Sequence, residues 1–196
     1  MTAIGFRVKS GYAIAVVLAG TKSHPRAVAR HVVALSDPKV AETRQPYHDR
    51  FFKTEEDAAE IVRRVRIVKR CAKSSVAALL NGMAPEASAE RSRASSLRSA
   101  LVVGSLIDPA TVGNPHIRAH AFEGQLFRTV LEAALRARGL ACEVVVDKHL
   151  PARAKSDLGA PAVVARAMSD FGETLGRPWR ADEKAAATAA WLALGA

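Results

Sequence analysis

Apolar and polar positions change rhythm several times along this chain, and each change predicts an element. Residues 4–8 alternate weakly, with Gly5 among them and Ser10-Gly11 as a turn directly after. Residues 12–18 are continuously apolar, the pattern of a strand buried on both faces. Residues 20–26 (Gly-Thr-Lys-Ser-His-Pro-Arg) read as a turn, and residues 27–35 as a third strand. Together the three runs predict an antiparallel meander.

The period then lengthens. Residues 36–53 are polar and irregular, with Pro38 and Pro46. Thr54 followed by Glu55, Glu56 and Asp57 predicts a helix N-cap with acids in its first turn. Apolar residues at Ala58, Ile61, Val62, Val65, Val68, Ala72 and Val76 carry that helix to about Leu80, and Asn81-Gly82 ends it. Arg63, Arg64, Arg66, Lys69, Arg70 and Lys73 fill its other face, which the spacing predicts to be solvated. Residues 82–99, rich in Ser, Ala, Arg and Glu, predict a mobile loop, a short helix or an insertion. Residues 100–107 predict a buried strand that ends at Asp108-Pro109. Asn114-Pro115 is an N-cap and first-turn pair, opening a helix to about Arg138 that closes at Gly139. Residues 141–147 predict the last strand, and Leu150 to Gly159 a basic loop. A helix follows from Pro161 to about Leu175, then a break at Gly176-Arg177-Pro178-Trp179. Asp182 opens a final Ala-rich helix to Leu194, with Trp179 and Trp191 anchoring it in the core. Three antiparallel strands followed by alternating helices and strands predict an α/β fold.

Composition narrows the partners. The chain has 196 residues, 49% of them hydrophobic, which suits one domain with a sizeable core. Its formal net charge of +10 points to a polyanion, most simply nucleic acid. The two cysteines, Cys71 and Cys142, are too few and too far apart for a cysteine zinc cluster or a disulfide framework, so a reducing cytoplasm is the expected compartment. Arg7 and Lys9 interrupt any apolar leader, and no apolar run is long enough to span a membrane. Glycine-rich phosphate loops are absent from the sequence, and aromatic residues are too scarce for a base-stacking platform.

The opening Ile4-Gly5-Phe6-Arg7-Val8-Lys9-Ser10-Gly11-Tyr12 resembles the start of the RNase H-like superfamily, in particular the RuvC-type Holliday-junction resolvases. The resemblance extends to Pro46-Tyr47-His48 after the meander, to the stretch from Asp147 through Pro151 to Lys155, and to the closing helix from Trp179 to Trp191. It implies a mixed RNase H-like (RuvC-like) sheet of about five strands with helices on both faces, in one domain over 1–196. It implies a phosphodiester nuclease whose carboxylates hold Mg2+ or Mn2+, and it makes a homodimer plausible. The family's first-strand Asp, however, falls on Arg7. The fourth-strand acid falls near Ser105 or on Asp108. On the closing helix Asp182 matches the first acid, the second falls on Lys184 or Ala185, and Glu183 stands beside it. The expected metal-holding set is therefore Asp108, Asp182 and Glu183, with Glu123 or His120 assisting. Arg7, Lys9, Lys148, Arg153 and Lys155 lie at strand ends or loops and could line a phosphate track.

A second constellation comes from spacing alone. His116, His120, Glu123 and Phe127 form one stripe on the helix after Asn114. Two imidazoles and a carboxylate on one face suit a transition metal or acid–base work, and the same spacing fits a hydrogen-bonded polar face. Two functions are carried forward: a nucleic-acid-associated protein with a rebuilt metal-dependent nuclease site, and a catalytically inactive scaffold or interaction domain.

Overall fold

The computed structural model describes residues 1–49, 51, 53–83 and 97–195. The meander is present as β1 (Thr2–Lys9), β2 (Tyr12–Gly20) and β3 (Pro25–Ala34). Helix α1 (Ala58–Gly82) leads to β4 (Leu97–Val103), α2 (Pro115–Arg136) and β5 (Cys142–Val146). Three helices close the chain: α3 (Leu150–Leu158), α4 (Pro161–Leu175) and α5 (Ala181–Ala193). The sheet order is β3-β2-β1-β4-β5. The meander pairs are antiparallel, whereas β4 lies parallel to β1 and β5 parallel to β4.

Burial on both faces explains why β1 and β2 read as near-continuous apolar runs. On one face Ile4, Phe6 and Leu101 pack with Val68, Val76, Phe127 and Leu131 from α1 and α2. On the other, Ala3, Val16 and Val102 pack with Phe171 from α4 and Ala186, Ala190 and Trp191 from α5. Strand alternation therefore puts Ala3, Gly5, Arg7 and Lys9 on the α5 side. Gly5 is required there, because a Cβ would overlap the backbone of Ala186 and Ala190. Glycine on the strand and alanine on the helix let the two backbones touch, and this contact sets the N-terminus of α5 over the end of β1. Trp191 is buried and donates its indole N–H to the Lys22 carbonyl, while Trp179 donates to that of Met168.

Several boundaries differ from the sequence pattern. Asp57, rather than Thr54, caps α1, its carboxylate accepting from the amides of Ala59 and Glu60. Thr54 is instead bridged to His48. β4 ends at Val103, and Leu106 and Ile107 beyond it are exposed, so the apolar run of 100–107 overstates the strand. The expected basic loop at 150–159 is the helix α3. Pro151 fits its first turn, and Leu150 and Ala154, four residues apart, are buried. Arg64 is not on a solvated face, since it is buried and its Nη1 and Nη2 donate into the loop before α1. Of the expected loop at 82–99, residues 84–96 lie outside the described residues. Among the described residues, no helix is long and apolar enough to cross a membrane.

Candidate functional site: an ion-paired strand end and a histidine cluster

At the end of β1, Arg7 is turned inward. Its Nη2 donates to Asp147 at 2.8 Å and its Nε to Asp182 at 3.3 Å. Lys9 adds a second cation to Asp182, also at 3.3 Å. Asp147 directly follows β5, and Asp182 stands in the first turn of α5. Three elements thus bring two carboxylates to the strand position where the resemblance implies an acid, and a guanidinium lies between them. Arg7 is only 9% exposed, so its charge is committed to these carboxylates and turned away from solvent. The remaining expected acids are engaged elsewhere. Glu183 is buried and accepts from the Arg180 backbone N–H as part of a capping box. Asp108 is exposed and caps the short turn at Pro109–Thr111. Asp108, Asp182 and Glu183 therefore answer to different partners.

The second site lies between α2 and the loop after β3. His116 and His120 are one helical turn apart on α2, with their Nε2 atoms 3.3 Å from each other. His48 comes from the loop and completes the group. Its ring centroid is 4.9 Å from that of His116 and 4.4 Å from that of His120, and the latter two are 4.7 Å apart. One ring nitrogen from each lies within 4.8 Å of the others. His48 is buried, whereas His116 and His120 are exposed. Glu123, also buried, binds His48 Nδ1 through Oε1 at 2.8 Å. Its Oε2 lies 3.4 Å from His120 Nδ1 and forms no hydrogen bond.

The loop that carries His48 is held from both sides. Arg64 of α1 donates to the carbonyls of His48 at 2.9 Å and Pro46 at 3.4 Å, and to the Glu55 carboxylate at 2.7 Å. The Glu55 amide donates back to the Tyr47 carbonyl. From α2, Phe122 stacks on Tyr47 with centroids 5.1 Å apart, so residues 47 and 48 meet residues 122 and 123 in turn. Burial, and then the neighbouring Glu123 charge, push the Tyr47 phenol above its usual range. His48 is the site residue that spacing along α2 could not supply. It lies 75 residues from Glu123 in sequence, and only the tertiary packing of its loop against α2 joins them.

The expected phosphate track is uneven. Lys148 and Lys155 are exposed, in the turn after β5 and on α3. Arg153 is paired with Glu143 at 2.9 Å and with Asp157 at 3.2 Å.

No family model matches the sequence, and the search of curated proteins finds no match. Solved structures do resemble the fold. Thermus thermophilus RuvC in complex with a Holliday junction substrate is 14% identical, with a TM-score of 0.52 over 98% of this chain and 91% of that one. A second T. thermophilus RuvC structure is 16% identical, with a TM-score of 0.48 over 98% and 92%. An Aquifex aeolicus member of the Ppx/GppA family is 14% identical, with a TM-score of 0.34 over 79% and 38%. The strand order, the antiparallel meander beside two parallel strands, and the whole-length match to the first of these show that the chain has an RNase H-like fold of the RuvC type.

Proposed function

We propose that the protein binds structured nucleic acid through its basic surface, and that the strand-end site of its fold is closed by Arg7 to the cation its relatives in fold are expected to hold. The observation that carries this reading is the Arg7 bridge between Asp147 and Asp182 in a chain of net charge +10. A guanidinium at that point repels a divalent cation and takes up the oxygens that would ligate it. Mg2+ or Mn2+ held by Asp108, Asp182 and Glu183 would need all three freed from their present partners, so these residues do not fit that role as they stand. The charge argument for a polyanionic partner is separate from catalysis, and the fold resembles a protein solved with a four-way junction. Lys148 and Lys155 are the cations we assign to phosphate contact, because both are exposed. A soluble cytoplasmic protein, acting alone or as a homodimer, accords with this reading.

Fluorescence anisotropy on junction, duplex and single-stranded DNA across a salt series tests it. Binding through phosphates should weaken steeply as salt rises, and the slope should fall by about one for each contacting lysine removed. Absent or salt-insensitive binding would overturn it in favour of a protein-interaction scaffold. Metal-dependent cleavage abolished by Asp182→Asn would instead restore the nuclease reading.

A further inference from the structure

We infer that His48, His116 and His120 form a binding site for a divalent transition metal of the zinc and cobalt type, with Glu123 as the outer carboxylate that orients His48. The inference stands independently of nucleic-acid binding.

Four observations converge. Two nitrogens of a tetrahedral zinc site with bonds of about 2.05 Å lie roughly 3.3 Å apart, and the Nε2 atoms of His116 and His120 are separated by 3.3 Å. The three rings form a nearly equilateral group, with centroids 4.4–4.9 Å apart. His48 presents its Nε2 buried and without a hydrogen-bond partner, which is costly for a polar atom unless something binds it. Its other nitrogen is held by a carboxylate at 2.8 Å, the arrangement that fixes the ring and raises its basicity in carboxylate–histidine–metal sites. Three imidazoles without a hard oxygen ligand favour zinc, cobalt, nickel or copper over magnesium.

The site is also shaped for one open position. His48 and Glu123 close the inner side, while His116 and His120 lie at the surface. A metal there would keep a fourth coordination position facing solvent, as metal sites with three protein ligands commonly do. An oxygen ligand such as water or a phosphate oxygen fits that position. Arg64 contributes at one remove, since it holds the His48 carbonyl and hence the loop.

The test uses the full chain, freed of metal by chelation and titrated with Co2+ and then Zn2+. One Co2+ per chain should appear with the visible absorption of a tetrahedral or five-coordinate site, and Zn2+ should displace it. His116→Ala and His120→Ala change exposed residues and should leave the circular dichroism spectrum intact while weakening binding at least 100-fold. Glu123→Gln should weaken it 10- to 100-fold. Inorganic phosphate should shift the Co2+ spectrum, and an unchanged spectrum would overturn the open position. Failure of the folded wild type to bind either ion below millimolar concentration would overturn the site. So would undiminished binding in both His116→Ala and His120→Ala.

Discussion

The carboxylates at the end of β1 and the carboxylate beside His48 keep opposite company. Asp147 and Asp182 are half-open to solvent, and cations of the chain itself meet them. Glu123 is fully buried, and imidazoles meet it. In the first region the charges are matched within the protein, and a cation from solution would have to displace Arg7. In the second, His48 Nε2 and Glu123 Oε2, both potential ligand atoms, are buried without hydrogen bonds, whereas the buried atom left without one at the strand end is a donor, Arg7 Nη1. The two regions also draw on different layers. The strand end depends on α5 lying against β1, whereas the histidine cluster depends on the loop between β3 and α1 lying against α2. The strand end is neutralised by the chain's own cations, and unsatisfied ligand atoms lie instead on α2 and its loop.

The contact that positions Asp182 offers the largest effect. Gly5→Val would force the sheet and α5 apart at a backbone-to-backbone contact. We expect a loss of about 4 kcal/mol or more, in the range reserved for severe core disruption, with a matching fall in the denaturant midpoint. A midpoint within experimental error of wild type would show that α5 does not hold the strand end as described.

Arg64→Met should cost about 3 kcal/mol, because it leaves the partly buried Glu55 carboxylate and the His48 carbonyl without their donor. It should also weaken Co2+ binding by about tenfold, by loosening the loop that carries His48. Loss of stability with undiminished Co2+ affinity would separate Arg64 from the metal site and leave it a purely structural residue.

Arg7→Asp sharpens the contrast from the other side. It removes the cation between two carboxylates and adds a third acid. In chelator we expect a loss of about 2 kcal/mol, tempered by the exposure of Asp147 and Asp182. Millimolar Mg2+ should restore part of it, since three carboxylates suit a hard cation that binds only the folded state. Wild type should show no such response. A variant equally indifferent to Mg2+ would mean that the strand-end carboxylates do not converge once Arg7 is gone.

The sequence carried the fold further than the site. Gly5, the long apolar run of β2 and the alanines of α5 are all consequences of close packing on both sheet faces. Packing of that kind leaves a readable pattern. Residues 104–107 misled because an apolar run does not reveal where pairing stops, and α3 was hidden by its charged surface around two buried positions. At the site, His116, His120 and Glu123 were legible because a helix places them together by its own period. His48 and Asp147 were not, since only tertiary packing brings them to their partners. Arg7 is visible as a departure from the acid that the sequence resemblance implies, but the two carboxylates it bridges are assigned only from the structure.

The smallest expected effect separates the histidine site from its nearest rival, metal bound adventitiously by thiols. Burial raises the Cys142 thiol to about 12, against a smaller lowering by its hydrogen bond to Ser99, so it stays protonated at neutral pH and is a poor ligand. Burial also raises Cys71. A raised folded-state value means that the associated stability is fully present below pH 9.0 and is lost as pH climbs toward about 12. Over the neutral range in which metal is measured, neither thiol changes charge. The double variant Cys71→Ser, Cys142→Ser should therefore keep wild-type Co2+ stoichiometry and affinity at pH 7.5. Its Co2+ spectrum should match that of wild type, with no intense sulfur-to-metal charge-transfer band in either. A drop in stoichiometry, or a charge-transfer band present only in wild type, would move the bound ion from the imidazoles to sulfur and remove the basis for contrasting the two regions.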